Sequence, residues 1–480
     1  MSSLIKKLKE IPVGVRASVA YTISSVIQNG ISFFTIPLFT RMMSKPEYGK
    51  SVSFLSWENI MMIFISLYLA YGSFNTAMVK FEDRRSQYIS TINTITTVFA
   101  SVFLIIYFPF RSIFNTWFKM PTIFVVLMMV HILANHSLNC WSSRQRFEYK
   151  YVRAITVAIS MAVITPIVSY IFIKNTSDNK GYAYILSYIL VTSTFGITIY
   201  VIQMVQGRKP FDKEFWKYAL KFNIPLIPYY LSQSIFNQSD RIMIDHMCGG
   251  GDTAEYGVGY SIAMVLTFVL NAINNSYVPW LYELLKKKDC KPNQKMACYI
   301  AIIMAVLLVG VVALGPELVY ILGGAKYNNA KWVIPPVALS LLLLFYSQMF
   351  INVEFYYEDK KRLVYGTVGA AILNIVLNFL LIPIFGFVAA AYTTLASYLA
   401  FAGMNYISYR KTLKDNDMPQ ELYNMKWMVA ILLAFTAVDF MIVPLYNFRI
   451  ARFVIIGIVG IAVLANYKNF IKLYKSFKEK

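Results

Sequence analysis

Long apolar stretches separated by short polar segments run through the whole chain. A helix needs about 20 mostly apolar residues to cross the hydrocarbon core of a bilayer. The stretches lack the short alternating pattern that is typical of membrane β-strands. We therefore predict fourteen membrane-spanning helices, at about residues 17–39, 50–72, 87–109, 120–140, 154–173, 182–204, 222–246, 257–281, 297–315, 331–353, 363–383, 387–408, 427–446 and 452–470.

The composition supports the same fold class. Of the 480 residues, 58% are apolar and only 14% are charged, whereas a soluble domain carries roughly a quarter charged residues. This deficit of charge excludes a disordered chain, a nucleic-acid-binding tail and an ordinary cytosolic enzyme. We expect an all-α polytopic membrane protein with membrane lipid around it and no nucleic acid partner.

The net charge of +21 comes from Lys and Arg residues in the short segments between the apolar stretches. Lys and Arg hold such segments on the cytoplasmic side of a membrane. With the N-terminus inside, 33 of the 45 basic residues fall into cytoplasmic segments. The pattern predicts an even number of spans and two cytoplasmic termini.

Short sequence matches recur about 205–210 residues apart and indicate an internal duplication. The clearest pair is Glu47-Tyr48-Gly49 and Glu255-Tyr256-Gly257, and two further matches follow in the same order. They predict a six-helix lobe over 1–205, a second over 206–410, and an extra two-helix segment over 411–480. Paired halves are typical of transporters, which carry substrate between the halves.

Polar residues recur at helical spacing within several predicted spans. Ser, Thr and Asn can hold helices together by hydrogen bonds, which is the simpler interpretation for any one of them. Their concentration in spans one, two, seven and eight favours a hydrated central passage instead. The stripes are Ser18, Thr22, Ser25, Gln28 or Asn29, Ser32 and Thr35 in span one, Tyr230, Ser234, Asn237, Arg241 and Asp245 in span seven, and Tyr260, Thr267, Asn271 and Asn274 in span eight.

Ionisable groups inside spans are costly and mark functional sites by default. Glu58 lies in span two, and Asp240 and Arg241 lie near the outer end of span seven. For these three residues a lumenal role and a structural ion pair are equally consistent with the sequence. His131 in span four fits a histidine that is satisfied within the bundle, and Asp439 in span thirteen is expected to be peripheral.

Basic residues at the span ends are candidates for binding an anionic substrate. Arg16 and Lys221 open the first helix of each half on the cytoplasmic side, and Arg41 and Arg241 occupy the outer ends. The alternative is that these side chains only set the topology or snorkel to the interface. We carry Arg16, Gln28, Arg41, Glu58, Lys221, Asn237, Asp240, Arg241, Asn271 and Asn274 forward as candidate lumen residues.

Motifs for catalysis and cofactor binding are missing from the sequence. It contains no GxxxxGK[ST], GxSxG or HExxH, and its four cysteines form no CxxC pair. We therefore predict no enzyme activity, no cofactor and no metal site.

Three segments resemble the Wzx-type polysaccharide flippases, which lie in the MATE-like multidrug/oligosaccharidyl-lipid/polysaccharide exporter superfamily. The stretch 37–49, Pro-Leu-Phe-Thr-Arg-Met-Met-Ser-Lys-Pro-Glu-Tyr-Gly, is similar to the first-helix signature of that family. The stretch 225–257 resembles its counterpart in the second half, and 374–391 resembles its spans eleven and twelve. The resemblance covers most of 15–410.

The resemblance implies a flippase in the bacterial inner membrane. Such proteins move undecaprenyl-pyrophosphate-linked oligosaccharide repeat units from the cytoplasmic to the outer leaflet by alternating access, for O-antigen, capsule or related lipopolysaccharide polymers. It also implies a polysaccharide polymerase and a chain-length regulator as partners, and coupling to an ion gradient, for which Glu58, His131 and Asp240 are candidates. The neutral middle of span one departs from a deeply placed cationic clamp for pyrophosphate.

Other functions remain open from the sequence. A drug/cation antiporter of the same superfamily needs a carboxylate, which Glu58 or Asp240 could supply. A membrane-bound polymerase or ligase needs a sizeable outer loop with catalytic residues, whereas the largest predicted outer loop is only 247–256. A purely structural assembly partner would not need the polar stripes.

Overall fold

The computed structural model describes residues 13–357, 360–419 and 422–465, and all regular structure within these ranges is helical. The chain forms two compact units, Met1–Ala254 and Glu255–Lys480. The all-α fold class predicted from the sequence is confirmed. The division into segments 1–205, 206–410 and 411–480 stays a prediction.

The described part of unit 1 starts with a long helix, and the helices that follow are joined by turns. Two 3₁₀ turns, Glu82–Arg84 and Ile224–Leu226, lie between its helices. The helices are α1 (Val13–Met42), α2 (Lys45–Ser66), α3 (Phe74–Lys80), α4 (Arg85–Tyr107), α5 (Arg111–Phe118), α6 (Thr122–Phe147), α7 (Tyr151–Lys174), α8 (Lys180–Gly207), α9 (Lys213–Asn223) and α10 (Ile227–Met247).

The boundary between the units falls within helix α11 (Gly250–Ala263), so the helices from α12 onward belong to unit 2. Three 3₁₀ turns, Met264–Leu266, Ala325–Val333 and Val443–Asn447, interrupt the series. The helices of unit 2 are α12 (Thr267–Lys287), α13 (Lys291–Ala313), α14 (Gly315–Gly323), α15 (Ile334–Tyr356), α16 (Lys360–Phe385), α17 (Phe387–Asp415), α18 (Met425–Ile442) and α19 (Arg449–Ala465).

Each of the fourteen predicted spans coincides with helical structure, although residues 466–470 of the last span lie outside the described residues. Eleven helical segments of the described chain are long and apolar enough to cross a membrane. Helices α2, α10 and α19 are not among them. Helices α2 and α10 are rich in polar residues, and α19 is described over only 17 residues. The total of fourteen spans stays a prediction.

Several predicted spans are broken or bounded differently in the structure. Span two was expected to run to residue 72, but α2 ends at Ser66 and is followed by a tight turn. Leu67 and Tyr68 both adopt left-handed backbone conformations there, with φ of 48° and 51°. The expected outer loop 247–256 is shorter than predicted, because α11 begins at Gly250 directly after the left-handed Gly249 (φ 94°).

The core of unit 1 combines apolar packing with buried polar contacts. Phe215 and Ala219 of the amphipathic helix α9 pack against Phe81 and Tyr88 in one apolar cluster. Deeper in the unit, the Gln203 side-chain oxygen accepts hydrogen bonds from Asn93 Nδ2 at 2.7 Å and from Ser137 Oγ at 2.6 Å. Hydrogen bonds of this kind offset the cost of burying amides in an apolar interior.

The repeated Glu-Tyr-Gly tripeptide forms a close helix contact in its first copy. A Glu47 side-chain oxygen accepts a hydrogen bond from the Gly181 backbone N–H at 2.7 Å and so caps the start of α8. A Cβ atom on Gly49 would lie only 1.8 Å from the Gly250 carbonyl oxygen. Gly49 therefore permits the starts of α2 and α11 to touch, which explains the motif as a structural joint.

Unit 2 is fixed by polar contacts near both ends of its helices. Asn293 accepts a hydrogen bond from Tyr277 Oη at 2.7 Å and donates to the Leu422 carbonyl at 2.8 Å. At another site, the guanidinium of the buried Arg452 donates to both carboxylate oxygens of Glu317, at 2.6 and 2.7 Å. This bidentate pair joins α19 to α14.

Candidate functional site

Unit 1 contains a half-open polar cavity of about 500 Å³ between α1, α6, α7 and α8. Amide, hydroxyl and aromatic side chains from α1, α6 and α8 form most of its polar wall. Helix α7 supplies a largely apolar wall, in which Ala154, Ala158 and Ala162 are spaced one turn apart beside Val157 and Met161. The polar lining residues are Gln28, Asn29, Ser32, Thr35, Asn135, Asn139, Trp141, Ser142, Thr165, Tyr184, Tyr188 and Thr192.

The outer part of the predicted stripe in span one faces this cavity. Gln28, Ser32 and Thr35 bond within their own helix: Gln28 Nε2 donates to Ser24 Oγ at 2.9 Å, Ser32 Oγ to the Gln28 carbonyl, and Thr35 Oγ1 to the Ser32 carbonyl. The residues at the inner end of the stripe, such as Ser18, are exposed. The stripe therefore gives the cavity a neutral, hydrogen-bonding surface without a fixed charge.

A buried carboxylate–imidazole pair lies next to the cavity. Glu58 of α2 is 3% exposed and His131 of α6 is fully buried, and Glu58 Oε1 lies 2.8 Å from His131 Nδ1. The two groups are at ion-pair distance but are not aligned for a hydrogen bond, and Nε2 of His131 has no hydrogen-bond partner among the described residues. The His131 ring also contacts Tyr188, with 4.9 Å between centroids.

Tyr188 connects the pair to the cavity. Its ring lines the cavity, and its hydroxyl lies close enough to Glu58 for an electrostatic interaction. The sequence singled out Glu58 and His131 separately, and the structure brings them together. Asn135, Asn139, Tyr184 and Tyr188 were missed. Each pair is spaced four residues apart and so lies on one helix face, and this spacing is the signal that could have found them.

The ionisable residues of span seven belong to α10, the last helix that lies wholly within unit 1. Asp245 is buried and accepts a hydrogen bond from Ser53 Oγ at 3.1 Å, while Lys119 Nζ donates to its backbone carbonyl. Arg241 donates to the Asn237 carbonyl at 2.8 Å. The described contacts therefore hold this end of α10 against α2 and the turn that precedes α6.

A small pocket of about 200 Å³ adjoins Asp245 and is also lined by Lys50 and Lys119. Asp240, a neighbour of Arg241 in the chain, is 2% exposed. Asp245 thus contacts α2 and the turn before α6 within unit 1, whereas Glu58 pairs with His131.

The remaining candidate residues differ in their exposure and contacts. Arg16 is partly buried, and its Nε atom has no hydrogen-bond partner among the described residues. Arg41 and Lys221 are exposed. In unit 2, Asn271 is exposed, whereas Asn274 bonds to the side chains of Gln348 and Asn352.

Asp439, which was expected to be peripheral, is 7% exposed. Its Oδ1 atom has no hydrogen-bond partner among the described residues. It lies on α18, which belongs to unit 2.

Comparisons with known proteins agree with this architecture. The chain is 21% identical over 369 residues to "Lsg locus putative protein 1" of Haemophilus influenzae, which covers 75% of this chain and 88% of that protein. Its fold is similar to that of the lipid II flippase MurJ in an inward closed conformation, with a TM-score of 0.67, 11% identity and coverage of 95% of this chain and 100% of that one.

A second solved structure, an inward-facing multidrug resistance MATE family transporter of the MOP superfamily, matches with a TM-score of 0.62 and 14% identity, over 84% of this chain and 99% of that one. At these identities the two structures show the fold alone. The family model for polysaccharide biosynthesis proteins matches residues 15–285, which is more than half of the chain. The resemblance noted from the sequence is thereby confirmed, and the chain belongs to the polysaccharide biosynthesis protein family.

Proposed function

We propose that this protein is a flippase for undecaprenyl-pyrophosphate-linked oligosaccharide repeat units, which it moves from the cytoplasmic to the outer leaflet by alternating access. Membership of a polysaccharide biosynthesis family in a chain with eleven candidate membrane spans carries the proposal. A membrane protein without catalytic motifs fits the translocation step of such a pathway. The fold, which a lipid II flippase also has, supports this interpretation.

The proposal extends to the cellular setting that the sequence predicted. The protein acts in a bacterial inner membrane with both termini in the cytoplasm, and it serves O-antigen, capsule or related polymers. A polysaccharide polymerase and a chain-length regulator act on the repeat units after translocation. The basic cytoplasmic segments and the family match support these assignments.

Neutral hydrogen-bonding surfaces suit an oligosaccharide cargo. Moving hydroxyl groups into an apolar medium without partners costs several kcal/mol for each group. Amides and hydroxyls such as those of Gln28, Asn135 and Thr192 replace water around a sugar. The candidate residues Arg16, Arg41, Lys221, Asn237, Asp240, Arg241, Asn271 and Asn274 are proposed as substrate contacts on the basis of their positions in the spans.

The Glu58 and His131 pair is proposed as the coupling site for protons. Charge buried away from water is costly unless it is neutralised, so a buried carboxylate and imidazole hold protons according to their surroundings. With one proton between them, they form either an ion pair or a neutral pair, and both states have no net charge. Gain of a second proton, or loss of the one that they share, leaves a net charge, which favours a conformation that admits water to the pair.

Transport in proteoliposomes tests both parts of the proposal. The purified protein is reconstituted with a fluorescent undecaprenyl-pyrophosphate oligosaccharide, and the translocated fraction is followed with and without a pH gradient. We expect E58Q and H131Q to abolish acceleration by the gradient. E82Q is the matched control, because Glu82 is a carboxylate in a cytoplasmic turn with a 72% exposed side chain.

Different results would refute the flippase function and the proton-coupling site. Absence of translocation by the wild-type protein, together with normal surface polysaccharide in a deletion strain, refutes the flippase. Translocation by E58Q that still responds to the gradient like wild type refutes the coupling site alone.

The buried carboxylate Glu58 keeps a second function open, a drug/cation antiporter of the same fold. The deletion strain separates the two functions. Accumulation of cytoplasm-facing lipid-linked oligosaccharide supports the flippase. Altered drug sensitivity with normal surface polysaccharide supports the antiporter.

A further inference from the structure

The turn between α2 and α3 has an unfavourable backbone conformation that the surrounding contacts hold in place. Leu67 and Tyr68 are consecutive residues with side chains in the left-handed region, which is normally occupied by glycine. The turn is closed by backbone hydrogen bonds from Leu69 N–H to the Ser66 carbonyl at 3.0 Å and from Gly72 N–H to the Tyr68 carbonyl at 3.1 Å. Strained residues that a structure holds this firmly concentrate at ligand-binding sites.

The turn assembles three tyrosine rings into one stack. The Tyr68 ring lies 4.8 Å from the Tyr230 ring at 29° and 5.0 Å from the Tyr71 ring at 34°. Tyr230 belongs to α10, directly after the 3₁₀ turn that contains Pro225. Two interruptions of the helices thus place three rings in a row, with Tyr68 stacked on Tyr230 and tilted against Tyr71.

Two properties of this tyrosine stack are not needed for packing alone. Tyr71 is 50% exposed, so one end of the stack is open. The hydroxyls of Tyr68, Tyr71 and Tyr230 make no hydrogen bond to any residue in the described part of the chain. Phenylalanine or leucine would fill the same space, whereas exposed tyrosines offer a ring face and a hydroxyl to a ligand.

A guanidinium group lies within electrostatic range of the open end of the stack. Arg146, at the end of α6, is close enough to Tyr71 to interact with it electrostatically, and it lies 5.9 Å from the centroid of the Tyr21 ring. The side chain is exposed, and no carboxylate of the described residues lies within 4 Å of it. An arginine in this state is available to pair with a phosphate oxygen.

We propose that the tyrosine stack and Arg146 form a carbohydrate subsite, in which a sugar ring packs on Tyr71 while the adjoining phosphate pairs with Arg146. The C–H face of a pyranose ring is apolar and slightly positive, and an aromatic face is negative, so the two surfaces attract each other. The subsite rests on the proposed flippase function. It lies near the predicted cytoplasmic end of span two, where a substrate from the inner leaflet is first met.

Binding measurements with two soluble probes test the subsite. One probe is a short-chain prenyl pyrophosphate that carries the host disaccharide, and the other is the same prenyl pyrophosphate without sugar. Full-length protein in nanodiscs is titrated with each probe. We expect Y71L to weaken binding of the glycosylated probe at least about fivefold and to leave the unglycosylated probe unchanged.

Matched variants separate ring stacking from misfolding. Y71F and Y71W keep an aromatic face and should bind the glycosylated probe nearly as well as wild type, whereas R146Q should weaken both probes. Y320L is the control for loss of an exposed tyrosine, because Tyr320 is 65% exposed in unit 2 and should leave both affinities unchanged.

Three results would overturn the subsite: equal affinity of Y71L and wild type for the glycosylated probe, equal loss for both probes in Y71L, or no preference of the wild-type protein for the sugar. These results are distinguishable from failure of the flippase. If the wild-type protein prefers the glycosylated probe but does not translocate lipid, the subsite is supported and the flippase function is refuted. If the wild-type protein translocates lipid and Y71L binds both probes like wild type, only the subsite is refuted.

Discussion

Replacement of Gly49 by alanine tests whether the Glu-Tyr-Gly motif is a structural joint. The added Cβ atom would lie 1.8 Å from the Gly250 carbonyl oxygen, and 2.6 Å from its carbonyl carbon. Contacts of a Cβ atom closer than 3.0 Å are essentially never observed, so the two helix starts must separate by about 1.2 Å. Both partners are backbone, and neither can move away by rotating a side chain.

The expected cost follows from two contributions. Overpacking of a well-packed contact typically costs about 1–3 kcal/mol. Separation of the α2 start also strains the cap that Glu47 provides to Gly181, and loss of such a cap costs about 1 kcal/mol. We expect G49A to lose about 2–4 kcal/mol of folding free energy, which lowers the midpoint of thermal unfolding by roughly 5–15 °C for a unit of this size.

The assay is thermal unfolding of purified protein in detergent, followed by the loss of monodisperse protein in size-exclusion chromatography. G30A is the matched control, because Gly30 lies inside α1 and a Cβ atom there would meet nothing within 4 Å. Alanine in an open helical position is expected to stabilise by up to about 1 kcal/mol. A midpoint for G49A equal to or above that of G30A would refute the structural joint.

Further predictions concern buried polar contacts in both units. E317Q leaves the 3% exposed Arg452 side chain without its carboxylate and should cost about 3 kcal/mol in detergent unfolding, whereas the double change E317Q/R452M should recover part of this loss; equal stability of all three proteins would contradict it. Hydrogen bonds from Arg452 hold the pKa of Glu317 below its ordinary value of 4.5, so this contribution is complete above about pH 4.5 and is lost as pH falls through the lowered pKa. The difference in unfolding midpoint between wild type and E317Q should therefore shrink on acidification, and a constant difference down to pH 3 would exclude the linkage. Q203L should cost about 2 kcal/mol or more, because Asn93 and Ser137 both lose their acceptor, and an unchanged midpoint would show that water replaces it.

The sequence predicts the helices well because apolar stretches of membrane-spanning length are a strong one-dimensional signal. The same signal does not predict where a membrane-spanning helix is interrupted by a turn. The sequence Leu67-Tyr68 contains neither glycine nor proline, yet both residues are left-handed, because tertiary contacts to α10 override local preference. The 3₁₀ turn Ile224–Leu226 before α10, in contrast, contains Pro225 and is followed by Pro228, and proline constrains the backbone directly.

The sequence identifies site residues because ionisable side chains are costly to bury in a membrane, but it does not show which of them contact each other. Glu58 and His131 each stood out because ionisable groups are rare in spans, but 72 residues separate them from each other along the chain. Nothing local encodes their 2.8 Å approach, which depends on the packing of α2 against α6. Likewise, helical spacing found the stripe of Gln28, Ser32 and Thr35, but the cavity that the stripe lines required the positions of α7 and α8.

Ala154, Ala158 and Ala162 lie one turn apart in the cavity wall that α7 forms in unit 1, beside the larger Val157 and Met161. We expect larger side chains at these three positions to reduce the cavity volume, while the hydrogen-bonding residues of α1, α6 and α8 are unchanged. The volume of the cavity can thus change without any change in its hydrogen-bonding residues. Substitutions on this face of α7 would therefore change the size of the ligand that fits and leave its hydrogen-bonding partners in place.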